Sequence, residues 1–424
     1  MFYNLNFYKK QNNYPIMIFK ILTLVLFFFI PLSLIAGVGI LNFNLALIVL
    51  FSLFILFDID FLKKYNVYIY LFIFFYLYLV SRSFLSINYK LSLEASLFYF
   101  RFFSLSLVII FLSEKIKNFN QYLFIYLSAI YFLIFFDSMI QYIFSYNIIG
   151  LKYNGERVTS FFNDESILGS YISRILPVIL FLLHIDNQNE NNKSKLTLLF
   201  IFTGLIVVYI SGERVALFNI FLIIVLFLIF YGKYIYKNII YLIFLIIIIF
   251  LLSLYNNKLT HRYFETPSSF FDENNNFVIF SSTHNELIYS SINIFLTNKF
   301  FGVGPKLFRD YCLNEDLRYI NGCNTHPHNI YAQSFSEIGI LGSLPFIIIF
   351  LLTIYFLSKI ILKYFKNQNN KNLKIGTSFL LSGIIISFFP IIPHGNLFSS
   401  WLNVFYFIYF GIIIFQIKNI QKYE

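Results

Sequence analysis

Charge is scarce in these 424 residues: Asp, Glu, Lys and Arg make up 12%, against 59% hydrophobic residues. A water-soluble fold cannot cover that much apolar surface with so few polar groups, so the deficit excludes a soluble globular protein. Nucleotide signatures are missing too. No Walker or Rossmann pattern occurs, which moves nucleotide chemistry out of the front rank. Cysteine falls to two residues, Cys312 and Cys323. The first apolar run is preceded by Lys9 and Lys10 and followed by no small-residue cleavage site. It therefore reads as an uncleaved span, not a signal peptide.

What is abundant is Phe, at 59 residues, and Tyr, at 33. With Asn, Ile and Lys also high and Ala and Gly low, the usage resembles an AT-rich coding bias, so low apparent complexity does not signal disorder. A crossing helix needs about 20 mostly apolar residues. Twelve such segments are expected: 16–37, 40–57, 67–84, 91–112, 121–143, 166–183, 196–210, 215–231, 239–254, 332–357, 375–392 and 401–417. The expected fold is an all-α polytopic membrane protein, one integral membrane domain over 1–424. A large loop, 255–331, precedes the tenth span and carries an amphipathic helix near 284–298. Lysines such as Lys63, Lys64, Lys115, Lys117, Lys193 and Lys195 fall in every second connection. By the positive-inside rule those connections and both termini face the cytoplasm, and the 255–331 loop faces the other side.

Arginine behaves differently from lysine. All eight arginines (82, 101, 157, 174, 214, 262, 309 and 318) fall in outer connections or within spans. The planar guanidinium fork suits bidentate binding of phosphate, so this asymmetry points to an outward-facing anion site. Three polar stretches gather on that side. In "DSMIQYIF" (137–144), Asp137 and Gln141 share a helix face as i and i+4. Downstream lie Arg157 and then Asn163, Asp164 and Glu165, acids and amide that either cap the sixth span or bind substrate. In "SGERVALF" (211–218), Gly212 permits a tight turn and Arg214 opens the eighth span. Taken alone, Arg214 reads as a cation snorkelling to the interface.

The third stretch is "NTHPHNIYAQSFSEIGILG" (324–342). A helix starting near His328 would align His328, Ala332, Phe335, Gly339 and Gly342 in one stripe, with the glycines making room for a helix or a lipid chain. His328, at the top, is suited to take a proton from a hydroxyl near neutral pH. His326 is held just outside the helix by Pro327 and reads as structural. Cys312 and Cys323, in an oxidising compartment, are expected to form a disulfide. A metal site built from both with His326 and His328 has no recognised spacing, so no metal is expected.

Together these stretches resemble the O-antigen ligase and O-antigen polymerase superfamily of bacterial inner-membrane proteins. The resemblance runs from about residue 130 to 417 through "DSMIQYIF", "ERVTSFFNDESILGSY", "SGERVAL", "FFGVGPKLFRDYC", "HPHNIYAQSFSEIGILG" and "FFPIIPHGNLFSSW". It implies transfer of a glycan from undecaprenyl pyrophosphate to an acceptor sugar hydroxyl at the periplasmic face, with no cofactor, metal or nucleotide sugar. On that pattern His328 is the catalytic base and Arg214 holds the donor pyrophosphate. Arg157 lies near the glycan or phosphates, and Asn329, Asp137 and Gln141 complete the substrate-binding set. Many members carry an arginine shortly before the "G-x-G" of the large loop. Here His284 stands in that stretch, so either His284 substitutes or Arg262 or Arg309 reaches in.

Two reactions fit the resemblance. A polymerase joins repeat units on the lipid carrier, while a ligase moves the glycan to lipid A-core; the 157–171 and 304–329 stretches favour the polymerase. The expected partners are the lipid-linked donor, the sugar acceptor, membrane lipids and a polysaccharide chain-length regulator, with no nucleic acid. A twelve-span transporter matches the span count, but the two halves of the chain show no similarity.

Overall fold

The computed structural model describes residues 14–185, 190–232, 257–265, 278, 281–367 and 369–420. Runs of Phe, Ile and Leu become helices because a helix satisfies every backbone hydrogen bond within itself, which apolar surroundings demand. The helices are α1 (Tyr14–Ala36), α2 (Val38–Ser52), α3 (Asn66–Phe84), α4 (Tyr89–Ser96), α5 (Phe100–Lys115), α6 (Phe119–Phe144) and α7 (Leu168–Ile185). Then come α8 (Glu190–Ile210), α9 (Arg214–Tyr231), α10 (Ser282–Thr297), α11 (Ile330–Lys366), α12 (Lys371–Ser387) and α13 (Ser400–Ile420). No strand occurs among the described residues.

Ten candidate spans among the described residues are long and apolar enough to cross a membrane, α4 and α5 together forming one of them. The chain is an all-α polytopic membrane protein. Each matches an expected span to within a few residues except α11, which runs nine residues past the expected end at 357, and α12 lies at the eleventh expected position. The ninth expected span, 239–254, lies outside the described residues. α10 fulfils the expected amphipathic helix of the large loop.

Burial sorts the bundle. α7 is 89% buried over its apolar window and α3 only 17%, so α7 is the central helix and α3 a peripheral one that presents Phe74 and Leu71 outward. Around α7 pack α6, α8, α9 and α12. One end of the bundle is held by ion pairs, Lys64 with Glu114 at 2.9 Å and Lys115 with Asp58 at 2.8 Å. The opposite end gathers the connections that carry the arginines.

At that end α11 is broken. Gly339 has φ 65° and ψ −173°, outside any helical region. The loop "KFFGVG" (299–304) docks into the break, its backbone standing in for the missing helical partners. Ile340 N donates to Lys299 O at 2.9 Å, Val303 N to Ser336 O at 2.9 Å and Gly304 N to Glu337 O at 2.7 Å. A Cβ on Gly339 would lie 2.5 Å from Gly302 N. Gly339 thus makes room for a loop backbone, whereas Gly342 faces the Tyr78 ring of α3. The expected continuous stripe does not exist. The helix starts at Ile330, and His328, at φ 52°, precedes it in a left-handed conformation. Gly339→Ala should lower stability by roughly 1–3 kcal/mol, from the positive φ together with the displaced loop. Thermal melting of detergent-solubilised protein checks this; an unchanged midpoint would refute the docking role.

Candidate functional site

Residues from six separate segments line a cavity of ≈ 410 Å³ at this end of the bundle. Arg157, Arg174, Arg214, Arg262 and His284 all line it, with Glu165, Glu213, Gly395 and Trp401. Each arginine is brought there by a different local device.

Gly212 makes the α8–α9 turn at φ 68°, and where its Cβ would stand, Arg157 Cγ lies 3.2 Å and Arg262 Cδ 3.3 Å away. A bare turn therefore lets two arginine stems cross it. Arg262 Nε donates to Gly212 O at 2.7 Å, and Tyr263 stacks on Tyr209 at 5.0 Å, which docks the 257–265 segment against the turn. Arg214 opens α9, and its guanidinium has no hydrogen-bond partner among the described residues.

Arg174 lies on the central helix and is only 3% exposed. One of its donors reaches Ser170 O at 3.2 Å, its guanidinium lies 5.8 Å from the Trp401 ring, and its Nε has no partner. A buried cation so poorly paired is costly. An anion in the cavity would relieve that cost.

Glu213 caps the start of α7. Its carboxylate accepts from Gly169 N at 2.6 Å, Ser170 N at 3.0 Å and Ser170 Oγ at 2.6 Å, which neutralises exposed donors at the helix N-terminus. The cap is therefore Glu213 from another element, not Asn163 or Asp164. Burial pushes the Glu213 carboxyl up to about 7 against the pull of those hydrogen bonds and of Arg174. Four guanidiniums thus face two carboxylates, one of them half protonated near neutrality, leaving the cavity cationic.

Beside the cavity is a histidine cluster. The His284 ring, on the cavity wall, lies 5.6 Å from the His328 ring, and His328 lies 4.0 Å from His326. His328 itself is not in the wall. Burial lowers the His328 pKa; burial, His328 and Arg214 lower that of His284. Burial with the charges of His328 and Arg309 takes His326 down to about 3. All three are neutral imidazoles at pH 7, able to accept a proton.

The 388–397 connection holds the histidine segment in place. His394 N donates to His328 O at 2.8 Å, Asn329 Nδ2 to Pro390 O at 2.7 Å and Tyr331 Oη to Phe388 O at 2.9 Å. Leu397 N donates to Gln333 Oε1 at 2.8 Å. Glu337 accepts from Lys306 N and Phe308 N at 3.0 Å each and from Gln333 Nε2 at 2.9 Å. Gln333 and Glu337 thus bind backbone and each other.

Three expected substrate-binding residues do not reach the cavity. Asp137, fully buried, accepts from Ser160 Oγ at 2.5 Å, Ile148 N at 2.9 Å and Asn147 Nδ2 at 3.3 Å. Gln141 accepts from Ser160 N at 2.6 Å and Thr159 N at 3.1 Å and donates to Leu151 O at 3.2 Å. Both are used up in shaping the 145–162 loop that carries Arg157. Asn329 is spent as the N-cap of α11, accepting from Tyr331 N and Ala332 N at 3.0 Å each. Of the candidates for the position before "G-x-G", both His284 and Arg262 line the cavity and Arg309 does not. Cys312 and Cys323 are joined in a disulfide with Cα atoms 5.1 Å apart, which closes the loop ahead of His326 and leaves no thiolate for a metal.

A polytopic helical membrane protein with a cationic cavity at one end and neutral imidazoles at its rim is thereby defined. Residues 199–347 match the family model described as O-antigen ligase, which supports the resemblance of the chain to the O-antigen ligase and polymerase superfamily. The matched stretch holds Arg214, Arg262, His284 and His328. No curated protein matches this sequence.

Proposed function

We propose that this protein transfers a glycan from undecaprenyl pyrophosphate to an acceptor sugar hydroxyl at the periplasmic face of the bacterial inner membrane, acting as a surface-polysaccharide polymerase. The observation that carries the reading is the convergence of Arg157, Arg174, Arg214 and Arg262 on one cavity, with His328 5.6 Å beyond His284 on its wall. Pyrophosphate leaves readily once its charge is neutralised. Fixed guanidiniums in a site walled by apolar helices do this without reorganising, and they supply the positive charge from the chain itself. The acceptor oxygen then needs a positioned base and an in-line path to the anomeric carbon. His328 is that base. A single displacement inverts the anomeric configuration. The lysine-rich end faces the cytoplasm with both termini, which puts the cavity on the periplasmic side.

A strain lacking the protein, complemented with the wild-type chain, provides the test. Surface polysaccharide and lipid-linked glycan are resolved on gels. If single repeat units remain on lipid A-core while long chains vanish from both pools, the protein is a polymerase. Long chains that accumulate on the lipid carrier and never reach the core would make it a ligase instead. Unchanged pools would refute glycan transfer altogether.

A further inference from the structure

We propose that His284 and His328 form a two-imidazole relay, in which the acceptor hydroxyl proton passes from His328 through His284 to the departing diphosphate. The proposal rests on the cavity being the donor diphosphate site. His284 belongs to both places: it lines the arginine cavity, and its ring centroid stands 5.6 Å from that of His328. That separation, between ring centroids, makes the two imidazoles direct neighbours. His284 is also fixed. It lies in the first turn of α10, where Ser281 Oγ engages its Nδ1 at 2.6 Å, so Nε2 is the nitrogen left for chemistry.

The proton balance closes without a further reactant. The acceptor oxygen bonds to the anomeric carbon as His328 takes its proton. The bond from that carbon to the diphosphate oxygen breaks, and its electron pair leaves with the diphosphate. His328 hands its proton to His284, and His284 delivers it to the leaving oxygen. Both rings end neutral, ready for the next unit. The surroundings favour such a transfer. Burial, then the charges of His328 and Arg214, disfavour a resident charge on His284, which therefore holds the proton only in transit. A guanidinium at this position could bind phosphate equally well but could not pass a proton, since arginine stays charged at any working pH.

That difference sets the experiment. The protein in membrane vesicles, supplied with lipid-linked repeat units, is compared with His284→Arg and His284→Gln for kcat, donor KM and the solvent isotope effect on kcat. The relay requires both variants to lose about 10–10²-fold in kcat with donor KM little changed. It also requires the isotope effect to rise, because the proton transfer becomes slow. If His284 only contacts phosphate, Gln should raise donor KM and Arg should restore transfer. Activity of the Arg variant at or near wild type would overturn the relay. So would a lower kcat with an unchanged isotope effect, the signature of a smaller folded fraction. A wild-type chain inactive on this substrate would instead overturn the glycan-transfer reading on which the relay rests.

Discussion

His328→Ala should lower glycan transfer by about 10²–10⁴-fold, the range a positioned general base supplies, and leave the protein folded. The fold should survive because the ring does little for the structure. Its one hydrogen bond is a long one, Asn324 Nδ2 to Nε2 at 3.4 Å. The backbone carbonyl, which accepts from His394 N at 2.8 Å, is unchanged by the substitution. The left-handed φ of 52° is a mild complication, since alanine tolerates it less well than asparagine. His328→Asn is therefore the companion variant: comfortable in that conformation, similar in size, and unable to act as a base. Both variants should lose transfer together and show nearly equal melting temperatures. The wild type adds a pH signature. A base works only when neutral, and burial holds His328 below its ordinary pKa of 6.5. Activity should thus fall in acid with a midpoint below pH 6.5, as the ring protonates. Full transfer by His328→Asn would remove the base from His328.

The membrane fold was legible because its signal is dense. Every span is a run of apolar residues, and bilayer thickness fixes how long each must be. The arginine pattern was legible for a similar reason: no arginine falls in the lysine-rich connections of the other end, and the cavity takes four of the eight arginines. Finer assignments failed where a side chain's partner was remote in sequence. Asp137 and Gln141 have a polar face, but only the fold of residues 147–160 shows that this face is already occupied. Asn329 has a cap's composition, yet it was placed among the substrate-binding residues. Arg174 carried no signal of its own, because an arginine inside an apolar run reads as an anchored span end until its helix proves central. Glu213 sits beside a singled-out arginine, but the donors it caps lie some 44 residues earlier in the chain. The break at Gly339 was hidden as well. A glycine in a helical pattern says that something comes close, and the 299–304 loop had to be seen to say what.

Arg214→Ala should reduce transfer by about 10²–10³-fold, the loss found when one preorganised donor is removed from a charge-stabilising site, while stability stays level or rises. The second half of that expectation follows from position. Arg214 is the first residue of α9, where the helix dipole is positive and a cation is unfavourable by about 0.3–1 kcal/mol. Its guanidinium has no hydrogen-bond partner among the described residues to lose, and it shares the cavity with Arg157, Arg174 and Arg262, all of like charge. A side chain held against its own electrostatics is the kind of local strain that functional sites retain. Removing it should relax the resting protein and disable the site. Arg214→Lys separates charge from geometry: it keeps the cation but loses the planar fork that matches phosphate oxygens two at a time. About a tenfold or greater loss is expected from it, felt mainly as weaker donor binding. Transfer rates and melting midpoints of the three proteins, measured together, decide the matter. A wild-type rate for the lysine variant would rule out bidentate binding at this position. A midpoint that falls in step with activity would make Arg214 a structural residue, and the donor site would have to be built on Arg157, Arg174 and Arg262 alone.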